Sequence, residues 1–355
     1  MRSPLKGRGA LSNPDGRFAA LQTEAVDDGW YRQEVPASIA TSVEPDRARS
    51  IISRNDSPDI PFEYSINPYR GCEHGCVYCY ARPSHAYLGL SSGLDFETRL
   101  FYKADAARLL REELGRPKYV CKPITLGANT DPYQPVEKRL RVTRSVLEVL
   151  AECKHPVSIV TKGTLILRDL ELLAGLARDG LASVAVSITT LDAELKRILE
   201  PRAAAPAARL GVVRQLAAAG IPVGVLVAPV IPAITDRELE AIIGAAAAAG
   251  AASAGYVLLR LPHDLGALFR EWLAEHFPER AQHVMSLLRE LRGGRDNDPR
   301  FGSRMRGAGP FAELLATRFR LACSRSGLEA GRRSLRLSTT RFRPPTLCGQ
   351  LDLGI

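Results

Sequence analysis

No run of 18 or more apolar residues occurs in the 355-residue sequence, so no membrane-spanning helix is expected. Residues 1–15 hold no apolar h-region, so no secretory signal is expected there, and the expected compartment is the cytoplasm. Cysteine is scarce and unevenly spread. Of seven, Cys72, Cys76 and Cys79 crowd together, whereas Cys121, Cys153, Cys323 and Cys348 stand alone. In a reducing compartment a tight cluster points to metal binding rather than to a disulfide framework. The scattered four read as small buried apolar side chains. Lysine is missing from residues 292–345, a window with 13 Arg against 4 Asp or Glu. The difference, 13 − 4 = +9, equals the net charge of the whole chain, so the rest balances. A concentrated basic segment is a reason to consider a polyanionic partner such as nucleic acid; the plainer reading is a solvated Arg-rich surface. What is present otherwise is ordinary for a globular protein, 45% hydrophobic and 25% charged, at a length that suits one large domain with appendages.

Residues 1–60 are polar with little periodicity, and read as an extended arm lying on the body, partly disordered. From residue 62 short aliphatic or β-branched runs alternate with helical stretches. The runs are 62–69, 119–127, 156–162, 182–190, 222–230 and 255–261, with little polar alternation, as in strands buried on both faces. Helical candidates lie between them at 103–114, 139–152, 166–179, 207–219 and 236–250, with Gly180, Gly220 and Gly250 placed as C-caps. Six βα units in sequence imply a parallel sheet with right-handed crossovers, and six rather than eight imply an incomplete TIM-like barrel. The expected division is an arm (1–60), a (β/α)6 core (61–265) and a C-terminal helical, Arg-rich extension (266–355). The tail around 334–345 reads as a strand or hairpin. Chemistry in βα barrels sits at the C-terminal ends of the strands. That rule selects the loop with the three cysteines, then 128–133, then Thr161, Lys162 and Gly163, then Ser187.

The first of these loops reads Arg70-Gly71-Cys72-Glu73-His74-Gly75-Cys76-Val77-Tyr78-Cys79-Tyr80, with spacing C-x3-C-x2-C. Thiolates are the usual ligands of iron–sulfur clusters. Three cysteines on a cube of four irons leave one iron without a protein ligand, and an open position is what a catalytic site needs. A structural zinc site is the alternative, with His74 or His85 as fourth ligand. Zinc motifs, however, usually come as paired short elements, and no second pair exists here.

With an aromatic before its last cysteine and a position after the first strand of six βα units, this motif resembles the radical S-adenosylmethionine (SAM) superfamily. The closer resemblance is to its spore photoproduct lyase-like (DNA repair photolyase-like) branch. NPYRGCEHGCVYCYAR, LGANTDPYQPVEK, VTKG and VSITT carry it, over roughly residues 60–265. The segments KGRGA, NPDGRF and RFGSRMRGAGPFAELL resemble a bacterial subgroup without an assigned substrate. The resemblance implies a [4Fe–4S] cluster on Cys72, Cys76 and Cys79, whose open iron takes the amino and carboxylate groups of SAM. It implies a 5′-deoxyadenosyl radical that abstracts hydrogen from a substrate, and an electron donor such as flavodoxin or ferredoxin.

By the same resemblance, Asn129, Thr130 and Asp131 occupy the segment that holds the SAM amino group. A carboxylate beside an ammonium is sound electrostatics, and a helix N-cap or Asx-turn before Pro132 is the alternative. Lys162 would pair with the SAM carboxylate, rather than snorkel at the surface. Ser187 matches a serine near the ribose or methionine of SAM. Tyr78 and Tyr80 match a tyrosine pair assigned to hydrogen-atom return; plain packing, of Tyr78 on adenine above all, is the other reading. One departure stands out. Spore photoproduct lyases place a hydrogen-donor cysteine just ahead of the matching Asp, and here those positions are Ala128 and Asn129. Cys121 sits at the opposite end of its strand, about 20 Å away at the usual rise, and is not expected at the active face. The departure argues against thymine-dimer repair by that route. The expected function is a radical SAM enzyme of lyase-like or related type, acting on a substrate that includes nucleic acid among its candidates. The competing expectation is a non-catalytic, metal-stabilised nucleic-acid-binding protein.

Overall fold

The computed structural model describes residues 5–18, 38–331 and 337–345. Eleven strands occur among them: β1 (Ser42–Pro45), β2 (Ile52–Arg54), β3 (Tyr64–Ile66), β4 (Tyr69–Arg70), β5 (Arg99–Tyr102), β6 (Ile124–Leu126), β7 (Val157–Thr161), β8 (Ala182–Ser187), β9 (Val223–Val230), β10 (Ser253–Leu258) and β11 (Glu329–Ala330). Eight form one sheet in the order β11-β10-β9-β8-β7-β6-β3-β2. Every pairing from β3 through β11 is parallel, and β2 runs antiparallel along β3. Among the described residues the edge strands β2 and β11 do not pair with each other. The six expected runs correspond to β3 and β6 to β10.

Helices cover the outside of the sheet. Ala106–Leu114, Val142–Glu152, Leu170–Arg178, Pro206–Ala218 and Leu239–Ala248 follow successive strands as crossovers. Their apolar faces and the outward strand positions Ile124, Val157, Val184, Val223 and Val225 make one continuous core. The inward positions differ from expectation. Instead of bulky residues on both faces, β6 to β10 turn Thr125, Ser158, Ser183, Gly224 and Ser253 toward the lumen. Register aligns Ser65 with Thr125, Thr125 with Ser158, and Ser158 with Ser183. Barrel interiors are usually filled by Val, Ile and Leu; small side chains here leave an open cavity of about 1100 Å³.

A second core lies against the cysteine loop. Cys76, Val77 and Tyr78 pack with Leu195, Leu199 and Ile231, and with Phe269, Trp272, Val284 and Leu288. The last four belong to the helices Leu265–His276 and Ala281–Glu290, and Trp272 Nε1 donates to the Ile198 carbonyl at 3.1 Å. The segment between residues 80 and 102, which shows no simple period, folds as a 3-10 turn (Arg82–Leu88), a short helix (Asp95–Thr98) and β5. β5 joins β1 and β4 in a three-stranded sheet. The expected tail strand is not formed over the described part, 337–345. Residues 334–336 lie outside the described residues, as do 19–37 of the arm and Cys348. Among the described residues no helix is long and apolar enough to cross a membrane.

Candidate active site

Two glycines shape the cysteine loop. Gly71 (φ +77°) and Gly75 (φ +66°) take left-handed conformations, which cost a residue with a Cβ about 1–2 kcal/mol. Space excludes a side chain as well, since a Cβ on Gly75 would lie 2.7 Å from Glu97 Oε2. Between them the loop turns back on itself through Gly75 N to Cys72 O (3.4 Å) and Cys79 N to Cys76 O (3.2 Å), and Val77 N is anchored on Leu199 O (3.1 Å). Arg82, fully buried, donates Nε to the Cys76 carbonyl at 2.9 Å and Nη1 to the Gly93 carbonyl at 2.9 Å, and pairs with buried Glu97. Gln134 clamps the other flank. Its Oε1 accepts from Glu73 N at 2.9 Å and its Nε2 donates to Gly71 O at 3.2 Å.

The loop so held turns Cys72, Cys76 and Cys79 into the lumen cavity. Burial raises all three thiol pKa values. It pushes Cys76 up to about 12, with the Glu200 charge adding to the effect; Cys72 feels Asp131 and the other two cysteines besides. Buried thiols without a cation stay protonated, and the positive charge of bound iron reverses that preference. The donor set is three thiols on one short loop, and thiolates are the usual ligands of an iron–sulfur cluster. His85 is no fourth ligand facing the lumen. It is buried with Nε2 at 2.9 Å from Arg99 O and its ring edge-on to Phe96. His74 lines the cavity but turns Nδ1 to Asp131 at 3.3 Å, and the three thiols on one loop fit three corners of a cluster.

Asp131 lines the same cavity. Burial would raise its pKa, but His74, 3.3 Å away, and hydrogen bonds from Thr161 Oγ1 (2.7 Å) and Lys162 N (2.7 Å) outweigh it and hold the carboxyl at about 2. Tyr133 N donates to it too, at 2.9 Å. Lys162 reaches into the cavity with Nζ 5.8 Å from the Tyr78 ring centroid. Asn129 and Ser187 also line it; Asn129 N donates to Asn67 Oδ1 at 2.9 Å, and Ser187 O accepts from Arg209 Nη1 at 3.0 Å. Thr130 is not brought to the cavity. It is buried, and its hydroxyl donates to the Tyr69 carbonyl at 2.8 Å. The two tyrosines part company. Tyr78 is buried with its ring on the cavity and its hydroxyl donated to Glu200, 3.1 Å from Thr189 Oγ1. Tyr80 is half-exposed, with its hydroxyl on the Ala128 carbonyl and Arg260 6.0 Å from its ring centroid. Cys121, on the N-terminal side of β6, also lines the cavity, which extends along the strands.

Several residues of this site escaped the sequence reading. Glu200 sits fully buried behind Tyr78. Burial would raise its pKa, but the charges of Arg209 and Lys162 and hydrogen bonds from Arg209 and Tyr78 outweigh it and bring the carboxyl to about 2. His74, Arg82, Glu97 and Gln134 complete the frame. Gln134 lies inside LGANTDPYQPVEK, and His74 and Arg82 inside NPYRGCEHGCVYCYAR; Glu97 and Glu200 carry no periodicity or spacing signal.

Comparison with known proteins places this geometry. The family model described as the radical SAM superfamily matches residues 66–246. An uncharacterised protein of Mycobacterium tuberculosis strain H37Rv is 43% identical over 234 residues, covering 65% of this chain and 68% of that protein. An uncharacterised protein of Methanocaldococcus jannaschii is 28% identical over 182 residues, 51% of this chain and 65% of that protein. Among solved structures, a spore photoproduct lyase complexed with dinucleoside spore photoproduct superposes with a TM-score of 0.57 at 17% identity, over 81% of each chain. A mutant of that lyase with bound AdoMet and the same dinucleoside gives 0.56 at 17% identity, over 81% of this chain and 80% of that one. Those likenesses describe the fold.

Proposed function

The chain belongs to the radical SAM superfamily, whose members use a [4Fe–4S] cluster and SAM, and from that premise we propose that Cys72, Cys76 and Cys79 hold the cluster of a SAM-cleaving enzyme. The observation that carries the reading is the meeting of three thiols (Cys72 and Cys76 buried, Cys79 half-buried), an ionised Asp131 and the Lys162 side chain on one cavity. When bound, the reduced cluster supplies one electron to the SAM sulfonium, releasing methionine and a 5′-deoxyadenosyl radical that takes hydrogen from a substrate.

The chain's own residues bind and orient. Lys162 meets the SAM carboxylate and Asp131 attracts its ammonium, opposite charges at opposite ends of one amino acid. Asn129 and Ser187 supply further hydrogen bonds from the cavity wall. Thr130 braces the site by fixing the Tyr69 carbonyl ahead of the cysteine loop. The ring of Tyr78 packs on adenine, since its hydroxyl is already engaged by Glu200. Tyr80, at the mouth, is the tyrosine left to touch substrate. Residues 61–265 form the catalytic core, and the second hydrophobic core ties the following helices to it. A cavity of about 1100 Å³ exceeds what one small ligand fills, so cofactor and a substrate group share it.

A nucleic-acid substrate is the finer proposal. The Arg-rich segment supports it, as does the fold shared with a lyase solved on a dinucleoside lesion. A small acidic electron carrier such as flavodoxin or ferredoxin, in the cytoplasm, suits an oxygen-labile cluster. The test is 5′-deoxyadenosine formation after anaerobic reconstitution, with SAM and dithionite. The wild type is expected to release it and a Cys72→Ala, Cys76→Ala, Cys79→Ala triple variant to release none. Equal product from both would end the proposal.

A further inference from the structure

Residues 5–14 do not trail away from the fold. Leu5 and Ala10 are buried against Leu94, with Ile39 beside them. Arg8, itself only 8% exposed, donates to the carbonyls of Glu97 (3.0 Å) and Ile39 (2.6 Å) and to Thr41 Oγ1 (3.0 Å). The next two amides, Gly9 N and Ala10 N, donate to the two carboxylate oxygens of Glu97 at 3.0 and 2.9 Å. Ser12 O accepts from Leu94 N at 3.1 Å, and Asn13 Oδ1 from Asp95 N at 2.9 Å. Glu97 pairs with Arg82, and Arg82 holds the Cys76 carbonyl. An unbroken chain of polar contacts thus runs from the N-terminal segment to a cysteine of the loop.

Gly9 also touches the loop directly. A Cβ at position 9 would overlap the Gly75 carbonyl oxygen, 3.0 Å from its carbonyl carbon and 3.2 Å from Val77 N. Gly9 has no positive φ, so the requirement is room for two backbones to meet, and Gly75 lies between Cys72 and Cys76. The loop has few hydrogen bonds of its own, so its shape is imposed by what packs on it.

We propose that residues 5–12 are a strap that positions the cysteine loop for its cluster, with Gly9 as the contact point and the Gly9 and Ala10 amides on Glu97 as the fastening. The proposal rests on the cysteines being cluster ligands only for its second readout. The Glu97 carboxyl is fully buried, and loss of its amide donors leaves it under-satisfied where it must also hold Arg82. Without the strap the loop opens locally while the barrel stays folded.

The test compares full-length wild type, Gly9→Ala and Lys6→Ala, the last an exposed neighbour. Amide exchange in the apo chain is followed over 71–80, with β7 and β8 as reference. The reconstituted proteins are followed by iron release to a ferrous chelator and by EPR of the reduced cluster. In Gly9→Ala, exchange over 71–80 is expected to quicken roughly tenfold with the reference strands unchanged. Iron release is expected to quicken with it and the EPR line shape to broaden; Lys6→Ala behaves as wild type. Unchanged exchange and iron release in Gly9→Ala would overturn the strap, as would loosening of loop and strands together. If Gly9→Ala does not fold, Arg8→Ala and Arg8→Lys decide: the first should loosen 71–80 and the second should restore part of the protection, and a tight loop in Arg8→Ala overturns the proposal. A wild type that takes up no cluster contradicts the proposed function, and the exchange arm still settles the strap.

Discussion

Charge at the lumen mouth is arranged around two buried carboxylates and one reaching lysine. Asp131 and Glu200 are held at about 2, below their ordinary 3.8 and 4.5. A folded-state pKa below the unfolded one adds stability that is complete above the unfolded value and lost as pH falls toward the folded value. The apo chain is therefore expected to lose stability between about pH 4.5 and pH 2, read as a falling urea midpoint. Glu200→Gln should flatten that fall; an unchanged slope would show that Glu200 is not one of its sources. Lys162 gives the second expectation. A charge-assisted contact contributes about 1.5–3 kcal/mol, so Lys162→Ala should weaken SAM binding by roughly 10- to 100-fold, with Lys162→Arg retaining part of it. Calorimetric titration of the reconstituted protein reads this directly, and equal affinities would remove Lys162 from the cofactor site. At this scale the sequence showed the residues that face the lumen from strand ends, such as Lys162 and Asp131, because strand order fixes where such residues point. It hid Glu200 and Glu97. A buried ion's partner is chosen by tertiary approach, and Tyr78 and Glu200 stand 122 residues apart.

Among the elements, β7 and β8 were legible from their β-branched runs bounded by turns, and the helices between them from period and C-cap glycines. Their inward faces were misread. VSIVT turns Ser158 inward and ASVAVS turns Ser183, Ala185 and Ser187 inward, and these small side chains are what opens the lumen. Short elements such as Asp95–Thr98 and β5 were invisible, since a turn or two carries no period to detect. The Arg-rich loop also proves more structural than its charge suggested. Arg292 is buried, and burial lowers its pKa to about 10. It donates to the carbonyls of Leu259 (2.7 Å), Ser303 (3.2 Å) and Arg304 (2.7 Å), while Arg304 pairs with Asp59 at 2.7 Å. Arg292→Met should cost about 2–3 kcal/mol, because three carbonyls lose their donor. The loss should appear as a lower melting temperature and faster exchange over 298–307. A melting temperature equal to wild type would make the loop's fold independent of Arg292.

For the molecule as a whole, the arm and the C-terminal helices both pack on the cysteine loop, the arm through Glu97 and the helices through Trp272 and Phe269. Sequence reading separated these segments from the core because their partners lie far off in the chain; Ser12 Oγ, for one, donates to Glu271 at 2.5 Å. Several arginines of the basic segment are paired, Arg300 with Asp298, Arg318 with Glu240 and Arg341 with Asp179. The net charge of +9 nevertheless remains. Association with single-stranded DNA is expected to weaken linearly in log–log form as salt rises, read by fluorescence anisotropy; an affinity indifferent to salt would remove the electrostatic case for a nucleic-acid partner. The central claim is narrower than any substrate: three thiols hold a cluster with one vacant corner, and SAM docks there. EPR of the dithionite-reduced, reconstituted protein, recorded without and with SAM, tests it most directly. A [4Fe–4S] signal whose g values shift on adding SAM is the expected result. A signal that SAM leaves untouched, or none at all from protein whose three cysteines are intact, would contradict it.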